Sequence, residues 1–170
     1  MRTFLTLAPD ADLALAIDKW CRLCWPAHER RIPVQNYHIT VVFLGETDDH
    51  TLQNLADLLE NFHAQAFELC LNRVGYWPDT NVLWLGTDHV PEAFVEMHQL
   101  CRRAANRLGV RGGGKRYEPH VTLAKKFSTP PASALLEPDF EFRAQSLQLW
   151  SSVREARGAR YKTLASWTLK

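Results

Sequence analysis

The chain has 170 residues, of which 46% are hydrophobic and 23% are charged. This length suits one domain, or two small lobes that share a core, and the composition excludes a disordered or fibrous protein. The formal net charge is only +1, so a nucleic acid would have to be bound by a local basic patch rather than by the field of the whole molecule.

The N-terminal segment predicts a cytoplasmic protein without a membrane span. Residues 1–18 contain no apolar run of about 18 residues, and they carry acids where a signal peptide has its cleavage site. We therefore expect the four cysteines to be reduced. Cys21 and Cys24 fall on the apolar stripe of a predicted helix, which indicates core packing rather than a metal site, although His28 follows closely.

In chain order, the first half of the sequence predicts two strands that are each followed by a helix. Residues 2–8 alternate as a strand, and a helix capped by Asp10 or Asp12 runs to about residue 25. Residues 37–44 form an apolar strand, and a second amphipathic helix begins near Asp48 or Asp49 and continues through about residue 63.

The second half of the sequence predicts a hairpin, one helix and three further strands. Residues 67–74 and 81–87 are the hairpin strands, and residues 91–108 form the helix. The last strands fall at 119–126, at about 140–150 and at about 160–169. The order β-α-β-α-β-β-α-β-β-β, with short connections, favours an α+β fold of antiparallel sheet.

A sequence repeat links the strands at 37–44 and 119–126. HITVVFL at 38–44 and HVTLAKK at 120–126 share the pattern His, apolar, Thr, apolar, which indicates two similar half-domains that face each other. Because side chains alternate along a strand, His38 and Thr40 share one face, as do His120 and Thr122. If the two strands lie side by side, two imidazoles and two hydroxyls converge on a cleft, and this arrangement suits a phosphate.

Two histidines can supply both the base and the acid that opening a cyclic phosphodiester requires. Their ordinary pKa near 6.5 allows one imidazole to be neutral while the other is protonated. The threonines and a nearby cation would stabilise charge on the phosphate oxygens. No metal or other cofactor is expected, because the sequence has no cluster of ligands at the usual spacing.

At these motifs the sequence resembles the 2H phosphoesterase superfamily, which is defined by paired His-x-Thr motifs. It is most similar to the RNA 2',3'-cyclic phosphodiesterases, historically called 2'-5' RNA ligases. HITVVFLGE at 38–46 and PHVTLAK at 119–125 carry the resemblance, together with WLG at 84–86 and RYKTL at 160–164. The resemblance implies two pseudo-symmetric lobes of antiparallel sheet, with outer helices, around a central cleft.

The resemblance also implies a role for individual residues in converting RNA 2',3'-cyclic phosphate ends, or cyclic nucleotides, to 2'-phosphomonoesters. His38 would protonate the leaving 3'-oxygen, and His120 would accept a proton from water. Thr40 and Thr122 would hold the phosphate. Phe43 matches a position where the family stacks a base on an aromatic ring, and the alternative for Phe43 is a core side chain.

Two residues are candidates for the cation that holds the phosphate. Lys125 stands where related sequences carry Arg, but strict alternation would turn Lys125 away from His120 unless the strand contains a bulge. Arg116 is the substitute. A wider candidate patch surrounds the second motif and continues near the C-terminus, and it comprises Arg111, Lys115, Arg116, Lys125, Lys126, Arg154, Arg157, Arg160 and Lys162.

Two other functions remain open at this point. One is a nucleotide-binding module without turnover. The other is a sister enzyme that acts on 2'-5' oligoadenylate or another cyclic phosphate, or that catalyses the reverse 2'-5' ligation. We expect a monomer.

Overall fold

The computed structural model describes residues 1–27, 30–110, 117–127, 130–156 and 158–170. These residues contain nine strands, three α-helices and a short 3-10 helix at Val34–Asn36. The helices are α1 (Ala11–Cys24), α2 (Asp49–Leu59) and α3 (Glu92–Arg107). The strands are β1 (Arg2–Leu7), β2 (Ile39–Glu46), β3 (Phe67–Leu71), β4 (Arg73–Trp77), β5 (Val82–Gly86), β6 (His120–Lys125), β7 (Phe140–Ala144), β8 (Ser146–Glu155) and β9 (Gly158–Thr168). The predicted α+β class is confirmed.

Seven of these strands form one antiparallel sheet in the order β4-β5-β6-β2-β1-β8-β9. Its two halves, β4-β5-β6 and β2-β1-β8-β9, meet where Ile39 of β2 pairs with Val121 of β6. The repeated His-x-Thr motifs therefore lie side by side and run in opposite directions. This register places His38 opposite Thr122 and Thr40 opposite His120, with all four on one face.

Two predicted strands are each divided in the structure. The segment 67–74 becomes β3 and β4, and the segment 140–150 becomes β7 and the first part of β8. β3 pairs with β7 in a separate two-stranded sheet, so only β4 forms the predicted hairpin with β5. In both segments the apolar alternation changes phase, after Leu71 and after Ala144. Since a phase change turns later side chains to the other face, moving to a second sheet keeps both halves buried.

The two N-terminal helices begin at aspartates, as predicted. The Asp10 carboxylate accepts a hydrogen bond from the Leu13 backbone N–H at 2.8 Å, and the Asp48 carboxylate accepts one from Thr51 at 2.7 Å. Helix α2 ends at Leu59, earlier than predicted. Its last turn tightens there, because the Glu60 N–H donates to a carbonyl three residues back rather than four.

The buried face of α1 packs into the main core and includes two of the four cysteines. Cys21, Cys24 and Cys101 are buried, Cys70 is exposed, and all four are free thiols. This supports core packing for Cys21 and Cys24, while His28 lies outside the described residues. None of the described helices combines the length and apolarity needed to cross a membrane.

Candidate active site

A cavity of about 610 Å³ opens on the face of the sheet that carries the two motifs. Five strands contribute its lining, and the lining includes the predicted site residues His38, Thr40, Phe43, Thr122 and Lys125. His120 is not among the lining residues. It lies on the same face, opposite Thr40 in the register. Arg116 lies outside the described residues.

His38 is held in one tautomer by the backbone. Its Nδ1 lies 2.7 Å from the carbonyl oxygen of Asn36, and a carbonyl can only accept, so Nδ1 carries the hydrogen. In the neutral ring Nε2 is then an acceptor, and the Thr40 hydroxyl, 3.1 Å away, donates to it. His38 therefore presents Nε2 as the nitrogen that exchanges a proton.

His120 has the same backbone arrangement. Its Nδ1 donates to the carbonyl oxygen of Glu118 at 2.7 Å. In both motifs the acceptor is the carbonyl two residues before the histidine, so the structural repeat extends beyond the residues that match in sequence. Nε2 of His120 is likewise left for proton transfer.

Aromatic rings surround both imidazoles. The ring centroids of Phe4, Trp150 and Tyr161 lie 5.1, 5.4 and 5.1 Å from that of His38. Burial among these rings lowers the pKa of His38 to about 4, although the Asn36 carbonyl acts in the opposite direction, and nearby His120 and Lys125 add to the lowering.

The aromatic neighbours of His120 are two tryptophans. The Trp77 ring meets His120 edge-on at 4.5 Å between centroids, and Trp84 lies 6.0 Å away. The Trp84 ring also crosses Gly75 so closely that an added Cβ would lie 1.9 Å from it, so only glycine fits there. Burial lowers the pKa of His120, whereas the carbonyl and the carboxylate of Glu118 raise it.

Glu118 carries a charge next to the second motif that has no counterpart in the first. Its carboxylate pairs with Arg73 at 2.8 Å, and the guanidinium of Arg73 lies over the Trp84 ring at 5.3 Å. The equivalent position before His38 is the neutral Asn36, whose side chain donates to the Ala159 carbonyl at 2.7 Å. The two halves of the site thus differ in electrostatics although their backbones match.

Matching bulges turn the fifth residue after each histidine into the cleft. Thr40 and Val42 pair with successive residues of β1, so Val41 is an extra residue on β2. Leu123 is the corresponding extra residue on β6. Each bulge reverses the alternation, which brings Phe43 and Lys125 to the face of the motifs. The bulge that a phosphate role for Lys125 required is therefore present.

Phe43 is not a core side chain. The residue is 45% exposed and lines the cavity, and the guanidinium of Arg2 lies over its ring at 4.8 Å from the centroid. This arrangement contradicts the core alternative for Phe43. It leaves the stacking role as a prediction.

Several residues around the site were not expected from the sequence. Tyr117 donates its hydroxyl to the Thr40 carbonyl at 2.5 Å and so links the start of the second motif to the first. Tyr161 lines the cavity beside His38. The RYKTL segment gave a signal for Tyr161, whereas no local pattern pointed to Tyr117 or Trp77. In the described part of the chain, no three His, Cys, Asp or Glu side chains are grouped so as to hold a metal ion.

The sequence profile of the 2'-5' RNA ligase superfamily matches residues 9–156, which is most of the chain and includes both motifs. The chain belongs to the 2'-5' RNA ligase superfamily. Among its superfamily relatives, the protein of Escherichia coli named RNA 2',3'-cyclic phosphodiesterase is 26% identical over 99% of this chain and 96% of its own length. The protein of the same name from Methanocaldococcus jannaschii is 26% identical over 98% of this chain and 100% of its own length.

Solved structures share the fold over almost the whole chain. A crystal structure described as a phosphoesterase has a TM-score of 0.91 at 26% identity and covers 99% of this chain and 97% of its own. Escherichia coli LigT in complex with 3'-AMP has a TM-score of 0.89 at 25% identity with the same coverage. The resemblance noted from the motifs is thus confirmed at the level of the superfamily.

Proposed function

We propose that this chain hydrolyses RNA 2',3'-cyclic phosphate ends to 2'-phosphomonoesters, with His38 and His120 as general acid and base. The observation that carries the proposal is the pair of antiparallel His-x-Thr motifs, in which both Nδ1 atoms are bound to backbone carbonyls and both Nε2 atoms are left for proton transfer. Superfamily relatives named RNA 2',3'-cyclic phosphodiesterase support the substrate class.

In the proposed reaction, Nε2 of His120 takes a proton from water as the water oxygen bonds to phosphorus. The bond between phosphorus and the 3'-oxygen breaks, and Nε2 of His38 gives a proton to that oxygen. Thr40, Thr122 and Lys125 stabilise charge on the non-bridging oxygens. The phosphate stays on the 2'-oxygen. After the reaction His120 has gained one proton and His38 has lost one.

The acid role requires a protonated His38, although burial holds the pKa of this residue at about 4 in the free protein. A bound phosphate anion near His38 favours the imidazolium form and raises its pKa. The Thr40 hydroxyl, which donates to the neutral ring, can rotate and donate to the phosphate once Nε2 is protonated. Substrate binding and protonation of His38 are therefore coupled.

The test is hydrolysis of a 2',3'-cyclic-ended oligoribonucleotide in excess EDTA, with the products resolved as 2'- or 3'-phosphates. We expect full activity and a 2'-phosphate, because two imidazoles suffice for both proton transfers. Parallel reactions with 2'-5' oligoadenylate and with RNA ends suited to ligation examine the two sister activities. Activity lost to the chelator and restored by a divalent metal, or a 3'-phosphate product, would contradict the proposal. Binding without turnover would indicate the non-catalytic module.

The pH dependence of kcat/KM should be bell-shaped with its maximum below pH 6.5. This parameter reports the free enzyme, and the pKa of each histidine is lowered there by burial. A histidine with a lowered pKa loses its proton at lower pH, so both limbs of the kcat/KM profile move to lower pH. For kcat, which reports the complex, the maximum should lie at higher pH because the bound anion favours imidazolium. A kcat/KM maximum at pH 7 or above, with chemistry rate-limiting, would be inconsistent with this assignment.

Glu118→Gln provides a matched variant for the same measurement. It keeps the backbone carbonyl that holds His120 but removes the carboxylate that raises the His120 pKa, and it leaves Arg73 without its partner. Both changes disfavour the imidazolium form of His120. One limb of the kcat/KM profile should therefore move to still lower pH, and an unmoved profile would show that Glu118 does not act on His120.

Phe43→Ala is expected to raise KM about 5- to 150-fold for base-containing substrates, the range for loss of one stacked base, with little change in kcat. Phe43 is 45% exposed, so the melting temperature should change little. The control substrate is the 2',3'-cyclic phosphate of a ribose without a base, for which KM should not change. Phe142→Ala, at a fully buried ring, shows how large a fall in melting temperature a core Phe gives. A comparable fall for Phe43→Ala would contradict the stacking role.

The cytoplasmic location, the monomeric state and reversible 2'-5' ligation stay predictions.

A further inference from the structure

The cleft extends well beyond the two motifs. Because β2 and β6 are antiparallel, the lining residues that follow the two motifs lie at opposite ends of the cleft. Phe43 lies beyond Thr40 on β2, and Lys125 lies beyond Thr122, the residue opposite His38, on β6. Phe43 pairs with Phe4 of β1. The lining then continues past Phe4 to Arg2, and on β8 to Arg154.

The strand order agrees with the register in the order in which it places the charged and aromatic side chains along the cleft. The strands run β6, β2, β1, β8, and their contributions are Lys125, Phe43, Arg2 and Arg154. Arg2 pairs with Ser152, and Arg154 lies two residues further along β8, past the start of β1. The cleft therefore presents a cation at one end, the catalytic pair and an aromatic platform in the middle, and two cations at the other end.

The cations of the cleft are available to a ligand. Among the described residues, no ion pair involves Arg2, Lys125 or Arg154. Glu155 is the carboxylate in the described lining, and it pairs with Arg160 at 3.6 Å. The guanidinium of Arg2 lies over the Phe43 ring at 4.8 Å from the centroid. A cation held over an aromatic face in this way can still donate its N–H groups to an anion.

A cyclic mononucleotide does not account for this arrangement. Its phosphate carries one negative charge, which Lys125 matches beside the histidines. The Arg2 guanidinium lies over the Phe43 ring, and Arg154 lies further along the cleft. The next group of an RNA strand after a nucleoside stacked on Phe43 is the phosphate on its 5' side. Phosphate oxygens are the groups that Arg binds in nucleic acids without reading sequence.

We infer that Arg2 and Arg154 form a subsite for the phosphate on the 5' side of the terminal nucleotide, so that the enzyme prefers an oligoribonucleotide end to a cyclic mononucleotide. The inference rests on the proposed function. It assigns a role to Arg154, which the sequence grouped only with a basic patch, and to Arg2, which the sequence did not single out.

The experiment compares kcat/KM for 2',3'-cyclic AMP and for the diadenylate that ends in the same cyclic nucleotide. The wild-type protein should prefer the diadenylate by about 10- to 100-fold, the range for one hydrogen bond between charged groups. In Arg2→Gln and Arg154→Gln this ratio should fall towards one. 2',3'-cyclic AMP that carries an additional phosphate on its 5'-oxygen separates the contribution of the phosphate from that of the second base. Its kcat/KM should show most of the gain that the diadenylate shows over 2',3'-cyclic AMP.

Lys162→Gln is the matched control. Lys162 lies on β9 next to Tyr161, and alternation turns it to the face opposite the cleft. Its substitution removes one positive charge from β9, the strand that pairs with the β8 strand of Arg154. It should leave the ratio as in the wild type. The slope of log(kcat/KM) against log salt for the diadenylate should also become less steep in Arg154→Gln, by about 0.7 for one lost phosphate contact on a single strand.

A wild-type ratio near one, or the full ratio retained in both arginine variants, would overturn the subsite. An equal fall in Lys162→Gln would do the same, since general charge would then explain the effect. If the wild type hydrolyses neither substrate, the proposed function fails. The subsite is judged in that case from the dissociation constants of adenosine 2'-phosphate and the diadenylate with a 2'-phosphate end, measured by calorimetry on the same variants, where the same ratios are expected.

Discussion

His38→Ala and His120→Ala are each expected to lower kcat by about 10²- to 10⁴-fold, the usual contribution of one general acid or base. Each substitution removes the Nε2 atom that transfers a proton in the proposed reaction. The measurement is single-turnover cleavage of a cyclic-ended oligoribonucleotide at pH 7. Activity within a few-fold of the wild type in either variant would rule out the two-histidine mechanism.

A substrate whose 3'-oxygen is replaced by sulfur separates the two roles. Thiols have a pKa near 8.5, far below that of a ribose hydroxyl, so a thiolate leaves with little need for protonation. The sulfur substrate should therefore restore turnover in His38→Ala but not in His120→Ala. Equal rescue of both variants would show that the acid and the base have been assigned wrongly.

Protein stability must be checked at a defined pH in these variants, because His38 packs against three rings. Its folded pKa, about 4, lies below the unfolded value near 6.5. The stability linked to the neutral ring is thus fully present above pH 6.5 and lost as the pH falls towards 4. Melting curves at pH 7 avoid this linkage. His38→Gln, which fills more of the space than Ala, separates loss of packing from loss of the acid.

Lys125→Gln is expected to lower kcat by about 10²- to 10³-fold, the range for loss of one preorganised group that stabilises transition-state charge. The bulge at Leu123 turns Lys125 into the cleft beside Thr122. Lys125→Arg should retain most of the activity, because it keeps the cation and adds a forked donor. The measurement is kcat for a cyclic-ended oligoribonucleotide for each variant.

The neighbouring Lys126 provides the control for this prediction. Lys126 carries the same charge and is exposed, but it does not line the cavity. Lys126→Gln should therefore leave kcat unchanged. If Lys125→Gln behaves in the same way, the phosphate is held by another cation, and Arg116→Gln becomes the variant to measure.

The sequence by itself was enough to predict the fold class and the motif residues of the site. Alternation on a strand is a local property, so it placed His38 with Thr40 and His120 with Thr122 on shared faces before any tertiary contact was known. Helix starts are also local, since Asp10 and Asp48 cap them through hydrogen bonds to backbone groups three residues away. The matching patterns around the two histidines then indicated that the strands meet, as they do at Ile39 and Val121.

Only the tertiary structure decided where the residues beyond the motifs point and how the histidines titrate. The bulges at Val41 and Leu123 exist because neighbouring strands of the sheet pair with one residue fewer, and a single strand carries no record of that mismatch. The lowered pKa values arise from rings that are distant in sequence, such as Trp77 beside His120 and Trp150 beside His38. Burial depends on which strands become neighbours, so no local pattern determines it.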